Sequence, residues 1–148
     1  MTISWDIQTF QGLTTSSLYS ILMLRQEVFV VEQNCAYLDC DSKDLSAYHL
    51  LGTITARGQN ELAAYLRILP PTAQNDCPHI GRVLCRKTVR GTSIGKQLMQ
   101  KGIHHCRQLF PDKPIQISAQ QYLIKFYTEL GFHVSTAPYD EDGIPHIG

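Results

Sequence analysis

The 148-residue sequence has no surplus of charge, with 13 Lys and Arg against 13 Asp and Glu. A dedicated nucleic-acid binder carries a basic excess, so that class is set aside. No apolar run reaches the roughly 18 residues of a transmembrane helix. The N-terminal MTISWDIQTF lacks the basic-then-apolar layout of a signal peptide. There is no CxxC pair, and the five cysteines (Cys35, Cys40, Cys77, Cys85 and Cys106) are odd in number. Without a secretion signal they read as reduced thiols of a cytoplasmic protein. His104 and His105 are adjacent, so on a helix they point apart and cannot share one metal ion. No metal site is expected. Repeats, linkers and low-complexity tracts are also missing. What is present is 43% apolar and 18% charged, which is ordinary for one globular domain spanning residues 1–148.

Ile3–Phe10 alternates loosely and reads as an edge strand. Thr14 to Ser17 offer N-caps, and Leu18, Ile21, Leu22, Val28 and Phe29 recur at helical spacing, predicting a helix over about Thr15–Val31. Glu32–Ser46 is polar and reads as a loop with a short helical turn. Ala47–Ala56 and Leu62–Leu69 are strands joined around Gly58-Gln59-Asn60, and Pro70-Pro71 ends the second. His79–Cys85 is the next strand. The following helix carries Ile94, Leu98, Met99, Gly102, Ile103, Cys106 and Leu109, with Pro111 and Pro114 beyond it. Gly102 costs about 1 kcal/mol against alanine mid-helix, which close packing on a sheet would justify. Ile115–Ala119 reads as a strand, Gln121–Leu130 as a short helix with Gly131 as its C′ residue, and Phe132–Tyr139 as a strand. Glu141-Asp142-Gly143 turns into a last strand near Ile144–Ile147. The order is an α/β, mixed-sheet arrangement, with a right-handed crossover expected through residues 79–119.

One segment dominates. Ile80–Gly95 reads IGRVLCRKTVRGTSIG: a short apolar strand, a compact loop with Arg90-Gly91 and Gly95, then an amphipathic helix. Backbone N–H groups left without intrahelical carbonyls converge at such a helix start, and the helix dipole favours an anion there. The segment reads as a phosphate site.

These features resemble the GNAT superfamily of acetyl-CoA-dependent N-acyltransferases. The coenzyme motif of that family, Gln/Arg-x-x-Gly-x-Gly/Ala, falls on Arg90, Ser93 and Gly95, with serine in place of the central glycine. KFYTELGF at Lys125–Phe132 resembles the family's FYxxxGF helix end. RQEVFVVEQN at Arg25–Asn34 and EDGIPHIG at Glu141–Gly148 resemble its ElaA-like branch. The resemblance implies a central mixed sheet of about six to seven strands flanked by three to four helices. It implies acetyl transfer from acetyl-CoA to a primary amine of a small molecule or a protein, with no metal. Relatives are often dimers, so a homodimer is open.

By the family pattern, the main chain of Val83, Leu84 and Cys85 would receive the pantetheine arm. Arg90, Gly91, Thr92, Ser93, Ile94, Gly95 and Lys96 would surround the pyrophosphate. Gln120 falls where the family often places an amide on the pantetheine. Tyr127 is the candidate general acid, since a phenol of ordinary pKa near 10 can protonate a departing thiolate. Periodicity alone makes it a core aromatic. The base stays open among Glu32, His146, the weaker His49 and His79, and water. The Cys85 side chain has no neighbouring histidine in sequence to activate it as a nucleophile. Asp39, Asp41 and Asp44, and Asp140, Glu141 and Asp142, form two acidic groups that either attract a cationic amine or, more commonly, are solvated turns. A different class also stands: a non-catalytic acyl-CoA-binding module, suggested by Ser93 and the unassigned base.

Overall fold

The computed structural model describes residues 2–117, 119–120, 124–132, 139–141 and 144–147. Among these, the strands sort into two sheets. The larger holds β1 (Thr2–Thr9), β2 (Tyr48–Ala56), β3 (Gln59–Leu69), β4 (His79–Cys85) and β5 (Gln116–Ile117), in that spatial order. The smaller has β8 (Ile144–Ile147) between β6 (Ala119–Gln120) and β7 (Tyr139–Glu141). Among the described residues only β4 and β5 pair in parallel, so the main sheet is mixed. The expected single sheet of six to seven strands is thus divided into five and three. The expected strand Ile115–Ala119 contributes to both sheets, as β5 and β6.

β1 lies at the sheet edge, as its weak alternation implies. The β2–β3 turn is tighter than Gly58-Gln59-Asn60 suggested. Arg57 and Gly58 both take positive φ, 53° and 75°, and Ala56 already pairs with Gln59. That is the backbone of a two-residue hairpin whose twist matches its strands.

Helix α1 spans Thr15–Arg25, and the Thr14 hydroxyl accepts from the Ser17 N–H at 3.0 Å to cap it. It does not continue as α-helix to Val31. From Gln26 to Glu32 the chain is π-helical. Helix α2 spans Ile94–Leu109 and buries Leu98, Met99 and Cys106. Gly102 is explained by close approach: a Cβ there would lie 2.7 Å from Leu66 Cδ2 of β3. Helix α3 spans Ile124–Glu129, the described part of the expected Gln121–Leu130 helix. Gln121 to Leu123 lie outside the described residues, as do 133–138 of the expected following strand and Asp142-Gly143 of the expected turn. Gly131 takes φ 99°, and the Phe132 N–H reaches the Tyr127 carbonyl at 3.1 Å, closing α3 as a C′ glycine does.

The two faces of the main sheet carry different cores. Leu50, Ile54, Ala64, Leu66, Ile68 and Ile80 pack against Leu98, Met99, Cys106 and Tyr127. On the other face Leu51, Leu62, Tyr65 and Leu84 pack against Ile21, Leu24 and Val28. Strict alternation would put Ile80 and Leu84 on one face. A bulge in β4 separates them, and it also builds the site.

Candidate active site

β4 has two unlike halves. His79 and Ile80 pair with Gln116 and Ile117 of β5, and among the described residues the pairing stops there. On the other side β4 stays paired with β3 as far as Cys85. Leu84 opposes Tyr65 and Gly81 opposes Arg67, so β4 has one more residue than β3 between those points. Arg82 sits in this bulge with φ 51°, a conformation uncommon for a non-glycine residue. From the bulge onward, Val83, Leu84 and Cys85 have a main-chain edge facing away from β3 that pairs with no other described strand. Such an edge can accept an extended ligand as if it were another strand.

The open edge runs directly into the loop. The Arg86 N–H donates to Ala63 O at 2.7 Å, and Lys87–Val89 forms one 3₁₀ turn. Gly91 takes φ 80°, which suits glycine. The Thr92 hydroxyl donates to Val89 O at 2.6 Å and accepts from the Ile94 N–H at 3.3 Å. α2 therefore starts at a fixed angle. Ser93 Oγ accepts from Gln97 Nε2 at 2.9 Å, so the serine hydroxyl is engaged back along the helix. A Cβ on Gly95 would meet only Cys85 Sγ, at 3.7 Å. The helix start is therefore close to the end of β4. Lys96 is exposed in the first turn of α2.

Arg90 links this loop to the π-helical segment. Its Nε donates to the Cys85 carbonyl at 3.0 Å and its Nη1 to Glu32 Oε1 at 2.6 Å. Arg86 likewise reaches Glu27, at 3.4 Å, and Glu61, at 2.9 Å. Burial pushes the Cys85 thiol above its ordinary value, with Arg90 opposing more weakly. A protonated thiol is a poor nucleophile.

Tyr127 is buried and packs edge-on against Phe126 and Phe132, at ring-centroid distances of 5.1 and 6.1 Å. Val83 and Cys85 pack against the same apolar cluster. Gln120 and His146 are register partners across β6 and β8, and Tyr139 pairs with His146 on the other side. The structure thus joins Glu32, Arg90 and Cys85 by hydrogen bonds and packs Gly95 beside Cys85. Gln120 and His146 form a separate pair in the smaller sheet.

His49 is not free to act as a base. It is buried, with Nδ1 2.6 Å from Tyr65 Oη and Nε2 3.0 Å from the Asp44 carbonyl. A carbonyl only accepts, so Nε2 carries the proton and Nδ1 accepts from the tyrosine. Burial holds the His49 pKa below its ordinary value, with Asp44 pulling the other way. His79 is half-buried at the paired end of β4. Burial, then the charges of Arg67 and Lys43, lower its pKa.

The first acidic group is neither a solvated turn nor a trap for amines. Asp39 accepts from Arg25 Nε, Arg82 Nε and Tyr37 Oη, each at 2.8 Å. Asp44 accepts from Arg25 Nη1 at 2.7 Å and Arg67 Nη1 at 3.0 Å. Asp41 accepts from both Arg67 Nη atoms, at 2.9 and 2.7 Å. Three arginines thus balance three aspartates. Burial alone would raise the Asp41 and Asp44 pKa values. The hydrogen bonds and charge of Arg67 hold Asp41 well below the carboxylate range, and those of Arg25 and Arg67 lower Asp44. The sequence reading missed these arginines, although a signal existed. Arg25 falls on the buried stripe Ile21, Leu24, Arg25, Val28, and Arg67 interrupts the buried run of β3. A charge at a core position needs a partner.

Residues 42–148 match the family model of the acetyltransferase (GNAT) domain. The chain belongs to the GNAT family of acetyltransferases. Protein ElaA of Escherichia coli K12 is 44% identical over 148 residues, covering 99% of this chain and 94% of that protein. The crystal structure of Escherichia coli ElaA covers 99% of this chain and 97% of its own, at a TM-score of 0.89 and 42% identity. An acyl-CoA N-acyltransferase from Pseudomonas aeruginosa matches over 99% and 97% of the two chains, at a TM-score of 0.90 and 39% identity. A predicted acetyltransferase from Clostridium acetobutylicum, crystallised with acetyl-CoA, shares the fold at a TM-score of 0.66 and 15% identity, over 95% of each chain. Within the GNAT family this chain is an ElaA homologue, and the family's chemistry is acyl transfer from acyl-CoA to nitrogen. Among the described residues, no helix is long and apolar enough to cross a membrane, and no three His, Cys, Asp or Glu side chains group as a metal site.

Proposed function

We propose that this protein transfers an acetyl group from acetyl-CoA to a primary amine of a small molecule or a protein, by direct attack on the thioester. The observation that carries this reading is the open β4 edge leading straight into the Gly91 loop at the start of α2. Main-chain groups of Val83, Leu84 and Cys85 pair with the pantetheine arm, and Gln120 supports it. The N–H groups of Gly91 to Lys96 hold the pyrophosphate, aided by the helix dipole. The Ser93 hydroxyl, tied to Gln97, favours this reading over a phosphate loop spoiled by serine. We further read residues 1–148 as one domain, since β1 pairs along its whole length with β2, and as cytoplasmic, in keeping with five cysteines that are all free thiols.

Acetyl-CoA supplies the acetyl group as a thioester. Main-chain N–H groups at the bulge polarise its carbonyl. As the amine nitrogen forms its bond to the carbonyl carbon and the C–S bond breaks, Tyr127 gives its phenolic proton to the sulfur. Glu32 or His146 takes the proton lost by the amine.

Calorimetric titration with acetyl-CoA, CoA and a longer acyl-CoA tests the coenzyme. A thiol-release screen over primary amines then tests turnover. Selective micromolar binding of acetyl-CoA with thiol release is expected. Binding without turnover on any amine would favour a non-catalytic acyl-CoA module. Tyr127→Phe should lower kcat about 100-fold or more with coenzyme affinity unchanged. An unchanged kcat would remove Tyr127 from the acid role.

A further inference from the structure

The Glu32–Arg90 contact is built by the irregular part of the first helix. In an α-helix, residues five apart diverge by about 140°. A π-turn bonds i to i+5 and brings them towards one side. Glu27 and Glu32 are five apart within the π-helical segment, and both face the loop after β4, through Arg86 and Arg90 respectively. Thr15–Arg25 remains α-helical, so the change of helix type lies only where these contacts are made.

Arg90 occupies two acceptors that the reaction proposed above needs. Its Nε holds the Cys85 carbonyl, at the end of the open β4 edge, and its Nη1 holds the Glu32 carboxylate. One guanidinium spans both, so Glu32 lies a guanidinium's width from the pantetheine path. The pair is only partly buried, with side-chain exposures of 41% for Arg90 and 29% for Glu32. Ion pairs so open to water hold weakly. A pyrophosphate on the neighbouring N–H groups offers Arg90 a stronger, charge-assisted partner.

We propose that the Glu32–Arg90 ion pair is a latch released by the coenzyme. Binding moves the Arg90 guanidinium from Glu32 and the Cys85 carbonyl to the pyrophosphate, and the freed Glu32 carboxylate then receives the cationic amine. This rests on the function proposed above.

A static brace predicts the opposite sign, which makes the test decisive. Acetyl-CoA affinity is measured by calorimetry at fixed salt for the wild type, Glu32→Gln, Arg90→Gln and the double variant, with thermal melts confirming that each is folded. The latch predicts that Glu32→Gln binds acetyl-CoA about 3- to 10-fold more tightly, because the competing carboxylate is gone. Arg90→Gln should bind it about 10-fold more weakly. In the Arg90→Gln background, Glu32→Gln should change nothing. Unchanged or weaker binding by Glu32→Gln, while the wild type binds well, overturns the latch and leaves the coenzyme assignment standing. No binding by the wild type overturns both.

Discussion

The two faces of the main sheet solve the same burial problem by different chemistry. Under α2, Leu50, Leu66, Ile68, Ile80, Leu98 and Met99 pack with almost no exposed surface. Opposite them, α1 covers Leu51, Leu62, Tyr65 and Leu84, but towards the 35–47 loop the filling becomes Arg25, Asp39, Asp44, Arg67 and His49. The loop's large apolar side chains Leu38 and Leu45 remain exposed, and its buried apolar residues are the small Cys35 and Ala47. Shape complementarity holds one face together, and paired charges pin a loop to the other. Both ends of the second arrangement meet the candidate site, because Asp39 grips Arg82 in the β4 bulge and α1 runs on into Glu32.

The comparison is broken most severely at Asp39. Asp39→Ala removes the carboxylate shared by Arg25, Arg82 and Tyr37, leaving the fully buried Arg25 with the Asp44 carboxylate and the main-chain carbonyl of residue 39. Removing one member of a buried pair costs about 3–5 kcal/mol, as much as Leu98→Ala on the apolar face at about 2–5 kcal/mol. Urea unfolding compares them. Only Asp39→Ala should also raise KM for acetyl-CoA, because only it loosens Arg82 and the bulge. If it unfolds as easily as wild type, the ionic cluster does not hold the loop.

A smaller effect should appear on the apolar face at Gly102. Alanine gains about 1 kcal/mol in helix propensity. Its methyl would, however, require Leu66, fully buried, to give way from 2.7 Å, and overpacking costs about 1–3 kcal/mol. A net loss of about 1 kcal/mol is expected in thermal unfolding. A net gain would show that α2 can lift from β3 without penalty.

The apolar face was legible because its signals are local. The i, i+4 stripe of α2, the Arg90–Gly95 loop and the glycine at mid-helix position 102 all lie within short windows of sequence. The ionic face joins Arg25, Arg67 and Arg82 with Asp39, Asp41 and Asp44, which are dispersed along the chain. Their charge counts cancel, and the aspartates taken alone look like turn residues. The β4 bulge was also hidden, because HIGRVLC alternates acceptably and only the phase of Tyr65 and Arg67 on β3 exposes the extra residue. The π-turn at Gln26–Glu32 carries a pattern that an α-helix satisfies equally well. Glu32 could therefore be proposed from resemblance, but its contact with Arg90 could not be read from spacing.

The finest separation of the two faces is their response to acid. Asp41 is the most exposed of the three aspartates, with a quarter of its side chain open, so Asp41→Asn should cost about 1 kcal/mol or less at neutral pH. Its folded pKa is depressed, chiefly by Arg67 acting against burial. Its contribution is therefore complete above the unfolded value of 3.8 and is lost as pH falls from there towards the lower folded value. The stability gap between wild type and Asp41→Asn should close as pH drops below about 4. The gap for Leu98→Ala should stay constant over the same range, because no proton is involved. Paired urea titrations at several pH values read both. A pH-independent gap at Asp41 would mean that its charge is not what the loop depends on.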